Sequence, residues 1–262
     1  SAPGWPPRDW QLVSCDVGQG DATVVNVGAG QAIVVDTGPA PGPVDRCLRQ
    51  LGVTRVPWLI LTHLHADHAG GVGGVVAGRE VGGLLYSGIT EPAANWRAVT
   101  LETDGVPRQV AVPGLVVAAG QVRVEVLAVR PLSSTVATGE DSADQNDSSV
   151  VMRVSVGELT VLLSGDLEEA GQGNAIAQVA DLSADVLLVP HHGSGHQNPD
   201  YLAASHASVA LVSVGEDNDY GHPAARTITA VNDSGARVFR TDQDGSIAVR
   251  RSGGQLVVTT SG

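Results

Sequence analysis

The sequence predicts an α/β fold in which strands are sandwiched between helical layers. Three observations lead there. The first part of the chain is a run of β-branched segments, the later part alternates strand-like with helix-like segments, and the composition is 42% hydrophobic but only 3% aromatic. The core must therefore be built from Val, Leu, Ile and Ala, with 33 glycines and 14 prolines punctuating many short elements. At 262 residues the chain can bury the core of one large domain, which is the organisation expected over residues 1–262. It begins with Ser1 rather than Met, so the expectation is a piece excised from a larger protein.

The elements follow in order. "WQLVSCDV", "DATVVNVG" and "AIVVDTG" are separated by "GQG" and "GAGQ" turns and predict an antiparallel start. "VDRCLRQLG", closed by glycine, predicts the first helix, and "VPWLILTH" an apolar strand. "AGGVGGVVAG" predicts a short helix packed closely through its glycines. A mixed stretch from "EVGGLLYSG" leads to strands within "QVAVPGLVVAAGQVRVEVLAV". Residues 131–149, polar and acidic, predict a solvated loop and a candidate lid. "SVVMRVSVG" and "LTVLLSGD" predict a hairpin turning at Gly157 and Glu158. The remainder reads as a helix from Glu168 to about Leu182, the strand "DVLLVPHH", a helix near Pro199 to Ser205, the strand "SVALVSVG", a helix from Ala224 to Asn232, and a terminal hairpin.

Fifteen basic against 28 acidic residues give a formal charge of −13, which excludes broad, unassisted binding of nucleic acid, because phosphate neutralisation needs cationic side chains. A polyanionic substrate would need local cations, such as metal ions, or another domain. No stretch reaches the roughly 18 to 20 apolar residues that cross a bilayer, so no membrane insertion by this chain itself is expected. Cys15 and Cys47 are the two cysteines. They form no CxxC pair, their spacing does not decide for or against a disulfide, and the reading favoured is two unpaired, partly buried thiols.

The chemistry concentrates in "LTHLHADHAGGV", which places His63, His65, Asp67 and His68 within six positions, between an apolar strand and a glycine pair. Side chains there sit at the carboxyl end of a buried strand, where ligand sites gather. His63 and His65 point the same way if the chain stays extended, while Asp67 and His68 lie just past the turn. Neutral imidazole and carboxylate are ligands that borderline divalent ions prefer, and a close cation pair needs two such sets.

His63-Leu64-His65-Ala66-Asp67-His68 resembles the HxHxDH signature of the metallo-β-lactamase superfamily, which implies an αββα sandwich with a binuclear metal site at its edge. "VVDTG" and "LLSGD" resemble two further motifs of that family: Asp36 would orient the metal loop by hydrogen bonding, and Asp166 would bridge the two metals. "DVGQGDA" (Asp16 to Ala22), "NDSSVV" (Asn146 to Val151), "VPHHGS" (Val189 to Ser194) and "YGHP" (Tyr220 to Pro223) together resemble the C-terminal lactamase-like domain of the ComEC family of DNA-internalisation competence proteins.

The resemblance implies metal ligands His63, His65, Asp67, His68, Asp166 and one of the pair His191 and His192, with His191 preferred. No histidine occurs between His68 and His191, so the first site reduces to His63, His65 and Asp166, completed by water or by an oxygen near Asn146, Asp147 or Ser149. So oxygen-rich a donor set should accept Mn²⁺ as well as Zn²⁺, up to two ions per chain. Asp67, His192 and His222 are the catalytic candidates, the two histidines as transition-state contacts or proton donors, and Asp21 would order a ligand histidine. His196 and His206 belong to no motif. The implied function is a metal-dependent nuclease degrading DNA during uptake in transformation. It would be weakly active as an isolated domain and joined to a membrane channel and an oligonucleotide-binding domain of the same full-length protein, on the extracytoplasmic side of a bacterial membrane. The alternatives are a metallohydrolase of small esters, lactones or phosphodiesters, and a non-catalytic assembly domain.

Overall fold

The computed structural model describes residues 3–136, 138 and 142–262. The first half contains β1 (Leu12–Ser14), β2 (Thr23–Gly28), β3 (Gln31–Val35), α1 (Pro41–Gln50), β4 (Arg55–Val56), β5 (Leu59–Leu61), α2 (Ala66–Ala69), α3 (Val72–Val76), β6 (Glu80–Val81), β7 (Leu84–Tyr86), α4 (Ala93–Glu102) and β8 (Arg108–Val110). The second half contains β9 (Val116–Ala119), β10 (Val122–Ala128), α5 (Ala143–Asn146), β11 (Val151–Val156), β12 (Leu159–Leu163), α6 (Glu169–Gln178), β13 (Val186–Leu188), α7 (Pro199–Ala204), β14 (Val209–Val212), α8 (Ala225–Asp233), β15 (Arg237–Arg240), α9 (Thr241–Asp244), β16 (Ile247–Ser252) and β17 (Gln255–Thr260).

Two mixed sheets result. One runs β17-β16-β1-β2-β3-β5-β7-β8 with the short β4 and β6 beside it, and the other runs β15-β14-β13-β12-β11-β10-β9. Because side chains alternate along a strand, each sheet feeds two cores. Ile33 and Val35 of β3, Ile60 of β5, Val122, Val124 and Val126 of β10, and Val161 and Leu163 of β12 meet between the sheets. The opposite faces bury Val34, Leu59 and Leu61 under Leu48 of α1 and Val72 and Val75 of α3, and Leu162, Leu187 and Ala210 under Ala175 of α6, Leu202 of α7 and Val231 of α8. The layers are helix, sheet, sheet, helix. Among the described residues, no helix is long and apolar enough to cross a membrane.

Four expectations are corrected here. Cys15, at the end of β1, and Cys47, in α1, are not free thiols but a disulfide. Thirty-two residues separate them in sequence, yet the packing of α1 on the sheet brings their Cα atoms to 6.1 Å, inside the range a disulfide spans. The mixed stretch before residue 108 contains α4, in which only Val99 is buried, so no apolar stripe announced the helix. The helix expected to reach Leu182 ends at Gln178, and β15 and α9 precede the terminal hairpin. Finally, not all of the segment 131–149 is solvated. After Ser142, whose side chain caps α5, residues Gln145, Asn146, Ser148 and Ser149 are buried, with Gln145 meeting His65 and Ser149 meeting His63. The lid reading falls partly on Ala137 and residues 139–141, which lie outside the described residues.

Candidate metal centre

The parallel strands β3, β5, β12 and β13 all end at one edge of the sandwich, and each end delivers a polar residue of the motifs. Asp36 follows β3, His63 and His65 follow β5, Asp166 follows β12, and His191 and His192 follow β13. Asp67 and His68 occupy the short helix α2. The loop after β1 adds Asp21. Two glycines make this convergence possible: a Cβ on Gly20 would lie 2.2 Å from the Asp67 carbonyl oxygen, and one on Gly165 would lie 2.5 Å from Thr62 Oγ1.

Three residues of the candidate site hold left-handed backbone that side chains disfavour: Asp36 (φ 60°), His191 (φ 51°) and His192 (φ 53°). Such conformations cost on the order of 1–3 kcal/mol each and persist where surrounding contacts enforce them. The contacts are present: Asp36 N–H donates to Ile60 O (2.8 Å), His191 N–H to Gly165 O (3.0 Å), and the His192 ring Nδ1 to Ser213 O (2.9 Å).

Asp36 anchors the histidine loop from below. Its Oδ1 accepts from Thr62 N–H (2.8 Å), and its Oδ2 from Thr62 Oγ1 (2.7 Å) and His68 Nδ1 (2.8 Å). With the Nδ1 protons of His68 and His192 committed, both rings turn Nε2 toward the carboxylates of Asp67 and Asp166. His68 Nε2 lies 2.9 Å from Asp166 Oδ1 and 3.6 Å from Asp67 Oδ2, and His192 Nε2 lies 3.4 Å and 3.0 Å from the same two atoms. Ligands around a tetrahedral zinc at roughly 2.0–2.2 Å stand about 3.3–3.6 Å apart, close to this spacing. Asp21 sits behind the two rings, 3.3 Å from His192 Nδ1 and 3.8 Å from His68 Nδ1. Asp21, His68, Asp166 and His192 form one group capable of holding an ion.

A second such group is His63, His65 and Asp166. His63 Nε2 lies 3.9 Å from Asp166 Oδ2, while its Nδ1 is 3.2 Å from both Thr62 Oγ1 and Ser149 Oγ. His65 Nε2 donates to Gln145 Oε1 (2.7 Å), which leaves Nδ1 as the nitrogen that could ligate. Asp166 belongs to both groups. Buried but without a hydrogen-bond partner are His63 Nε2, His68 Nε2, Asp166 Oδ1 and both oxygens of Asp21. Buried polar groups are ordinarily paired, so orphaned nitrogens facing orphaned oxygens at one strand edge fit divalent cations.

The electrostatics agree. Burial works against a charged His68, yet Asp166, Asp67 and Asp36 outweigh it and hold its pKa well above the usual imidazole value. His192 is likewise held well above it, against burial, by Asp166 and Asp21. Burial would raise the Asp166 pKa, but His68 and His192 bring it well below the carboxylate norm. Asp36, its carboxyl buried, is pushed up. No arginine pairs with Asp21, Asp36, Asp67 or Asp166 among the described residues; protons on imidazoles supply the positive charge that a metal ion would supply by displacing them.

Not every expected residue converges. His191, the preferred ligand of its pair, stands at the rim: its Nε2 is 3.8 Å from Asp166 Oδ2 and its Nδ1 faces Glu168 Oε1 at 3.4 Å, whereas His192 is the one of the two that groups with Asp21, His68 and Asp166. His222 stands outside both groups, its ring 5.3 Å from that of His191, with Nδ1 accepting from Gln19 Nε2 (3.3 Å). Burial and the neighbouring rings of His191 and His192 push its pKa down to about 4, which makes it a neutral ring near pH 7 and argues against proton donation as an imidazolium. Among Asp21, Asp36, Asp67 and Asp166, Asp67 is the most open, with 31% of its side chain exposed. Gln145, Glu168 and Gln19 escaped sequence reasoning; each is a single polar residue in a loop or helix end.

The family model described as "Metallo-beta-lactamase superfamily" matches residues 15–195, more than half of the chain. ComE operon protein 3 of Bacillus subtilis is 29% identical over 204 residues, 76% of this chain and 25% of that protein. Competence protein ComA of Neisseria gonorrhoeae is 27% identical over 250 residues, 92% of this chain and 32% of that protein. The chain therefore spans about a quarter to a third of the length of these curated relatives. Among solved structures, the metallo-beta-lactamase fold protein YhfI from Bacillus subtilis superposes with a TM-score of 0.55 at 15% identity, covering 95% of this chain and 99% of that one.

Proposed function

The chain belongs to the metallo-beta-lactamase superfamily, and from that premise we propose that it is a metal-dependent phosphodiesterase that cleaves DNA, serving DNA uptake as part of a longer competence protein. The observation that carries the reading is the shared Asp166, flanked by two groups of orphaned donor atoms. His63, His65 and Asp166 would hold one ion, Asp67, His68, Asp166 and His192 the other, with Zn²⁺ or Mn²⁺ the ions that suit imidazole and carboxylate together. Such an ion pair would polarise a phosphoryl group, activate water and stabilise the leaving oxygen, and it would bring the positive charge that a chain of net charge −13 lacks.

The protein's own residues have separate work in this reading. Asp36 fixes the ring of His68, Ser213 that of His192, Gln145 that of His65. Neutral His222, with Nδ1 occupied by Gln19, offers its Nε2–H as a hydrogen-bond donor at the mouth, beside His191 held by Glu168. Membrane channel and oligonucleotide-binding parts of the longer protein would deliver the strand. The Cys15–Cys47 disulfide supports a position on the oxidising, extracytoplasmic side.

The test is hydrolysis of labelled single- and double-stranded DNA by chelator-treated protein resupplied with Mn²⁺, Zn²⁺ or Mg²⁺, alongside a chromogenic phosphodiester and a lactone. Cleavage of DNA restored by Mn²⁺ or Zn²⁺ supports the proposal. Turnover of the lactone alone would replace it with hydrolysis of small esters, and a chain that retains no metal would leave a non-catalytic assembly role.

A further inference from the structure

Tyr220 belongs to the "YGHP" motif, yet the metal centre makes no use of it. It is 71% exposed and is the one aromatic among the large hydrophobic side chains that the described residues expose. Its ring stacks on His222 with centroids 5.5 Å apart at an interplanar angle of 26°, and His222 stacks in turn over His192 at 6.2 Å and 29°. Three nearly parallel rings thus run from the candidate metal centre to solvent. The loop that carries Tyr220 and His222 is braced on both sides of Tyr220: Asn218 Nδ2 donates to Gly215 O (3.0 Å) and His222 O (2.8 Å), and Asn218 Oδ1 accepts from His222 N–H (3.0 Å). A tyrosine that served packing would turn inward; this one is held outward with one face free.

The neighbouring Glu216, Asp217 and Asp219 are exposed and repel phosphate. What the loop offers a polynucleotide is a π face, to which any base can stack once it is unpaired. We propose that the free face of Tyr220 is a stacking platform for a nucleobase of a single strand whose backbone crosses the metal centre. This rests on the phosphodiesterase reading and narrows its substrate to single strands that carry bases.

The probe is a short single-stranded DNA carrying 2-aminopurine, with a matched abasic oligomer, offered to metal-loaded wild type, Tyr220→Phe and Tyr220→Ala. Stacking predicts quenched 2-aminopurine fluorescence with wild type and Tyr220→Phe, affinity lower by roughly 5- to 100-fold in Tyr220→Ala, and no difference between variants on the abasic oligomer. Equal binding by wild type and Tyr220→Ala, or no quenching in wild type, would overturn the platform. Hydrolysis of methyl p-nitrophenyl phosphate, which carries no base, separates the two ideas. If wild type hydrolyses it but shows no preference for bases, the platform alone falls; if it hydrolyses neither this ester nor DNA, the phosphodiesterase reading falls and the platform with it.

Discussion

The two sides of Asp166 are built differently. On one side, His68 and His192 pack between four carboxylates, each ring fixed by an acceptor behind it, with donor atoms 2.9–3.6 Å apart. On the other, His63 faces Asp166 from 3.9 Å, His65 completes the group, and the two rings are supported by neutral groups, Ser149 and Gln145, from the segment that follows α5's cap. Charge and preorganisation favour the first side, so an ion there should bind more tightly than one beside His63. The difference teaches that histidines drawn from one short motif need not be equivalent, because what stands behind each ring differs.

The largest perturbation removes the shared residue. Asp166→Ala should lose both ions and all measurable hydrolysis while keeping the fold, as read by metal analysis beside circular dichroism; a variant that retained one tightly held ion would end the shared role. Next, Asp36→Ala should weaken the His68 side by roughly 10- to 100-fold, since it frees His68 Nδ1 and the Thr62 backbone together. Gln145→Ala should loosen only the His65 side, by about 10-fold, leaving the other ion in place in a competition titration with a chromophoric chelator. Reversed order between these two variants would invert the comparison.

The smallest effect is one of pH on the metal-free protein. His68 and His192 have raised folded-state pKa values, so their stabilisation is complete below the unfolded value near 6.5 and is lost as pH climbs through the folded values. His63, depressed by burial and His68, acts in the opposite sense and only below that window. Thermal unfolding in chelator should therefore show stability declining from pH 6.5 upward. Zn²⁺ should abolish the decline, because deprotonation then favours binding. A flat profile in chelator would show that the imidazoles do not carry the compensating charge.

Much of this was legible from residue order alone. The strand before His63 and the tight cluster after it announced the centre, and Asp36 and Asp166 came with their motifs. The choice between His191 and His192 was not legible: alternation decides orientation in an extended strand, but both residues adopt left-handed backbone, so the rule had nothing to act on. Gln145 and Ser149 lie in a stretch whose polarity resembles any solvated loop, yet both are buried, Gln145 on His65 and Ser149 on His63 and Asp166. α4 lacks a stripe, and the partnership of Cys15 with Cys47 depends on where α1 lands on the sheet.

That partnership has a practical side. Cys15 immediately precedes the loop that carries Gln19 and Asp21, so the cross-link ties the start of this loop to α1. Closing a ring of this length is worth roughly 3–4 kcal/mol. Protein recovered from a reducing bacterial cytoplasm would begin life without it, whereas material exported to the periplasm or refolded with a glutathione couple would carry it. Specific activity compared between such preparations, before any mutagenesis, would tell a laboratory which one to crystallise.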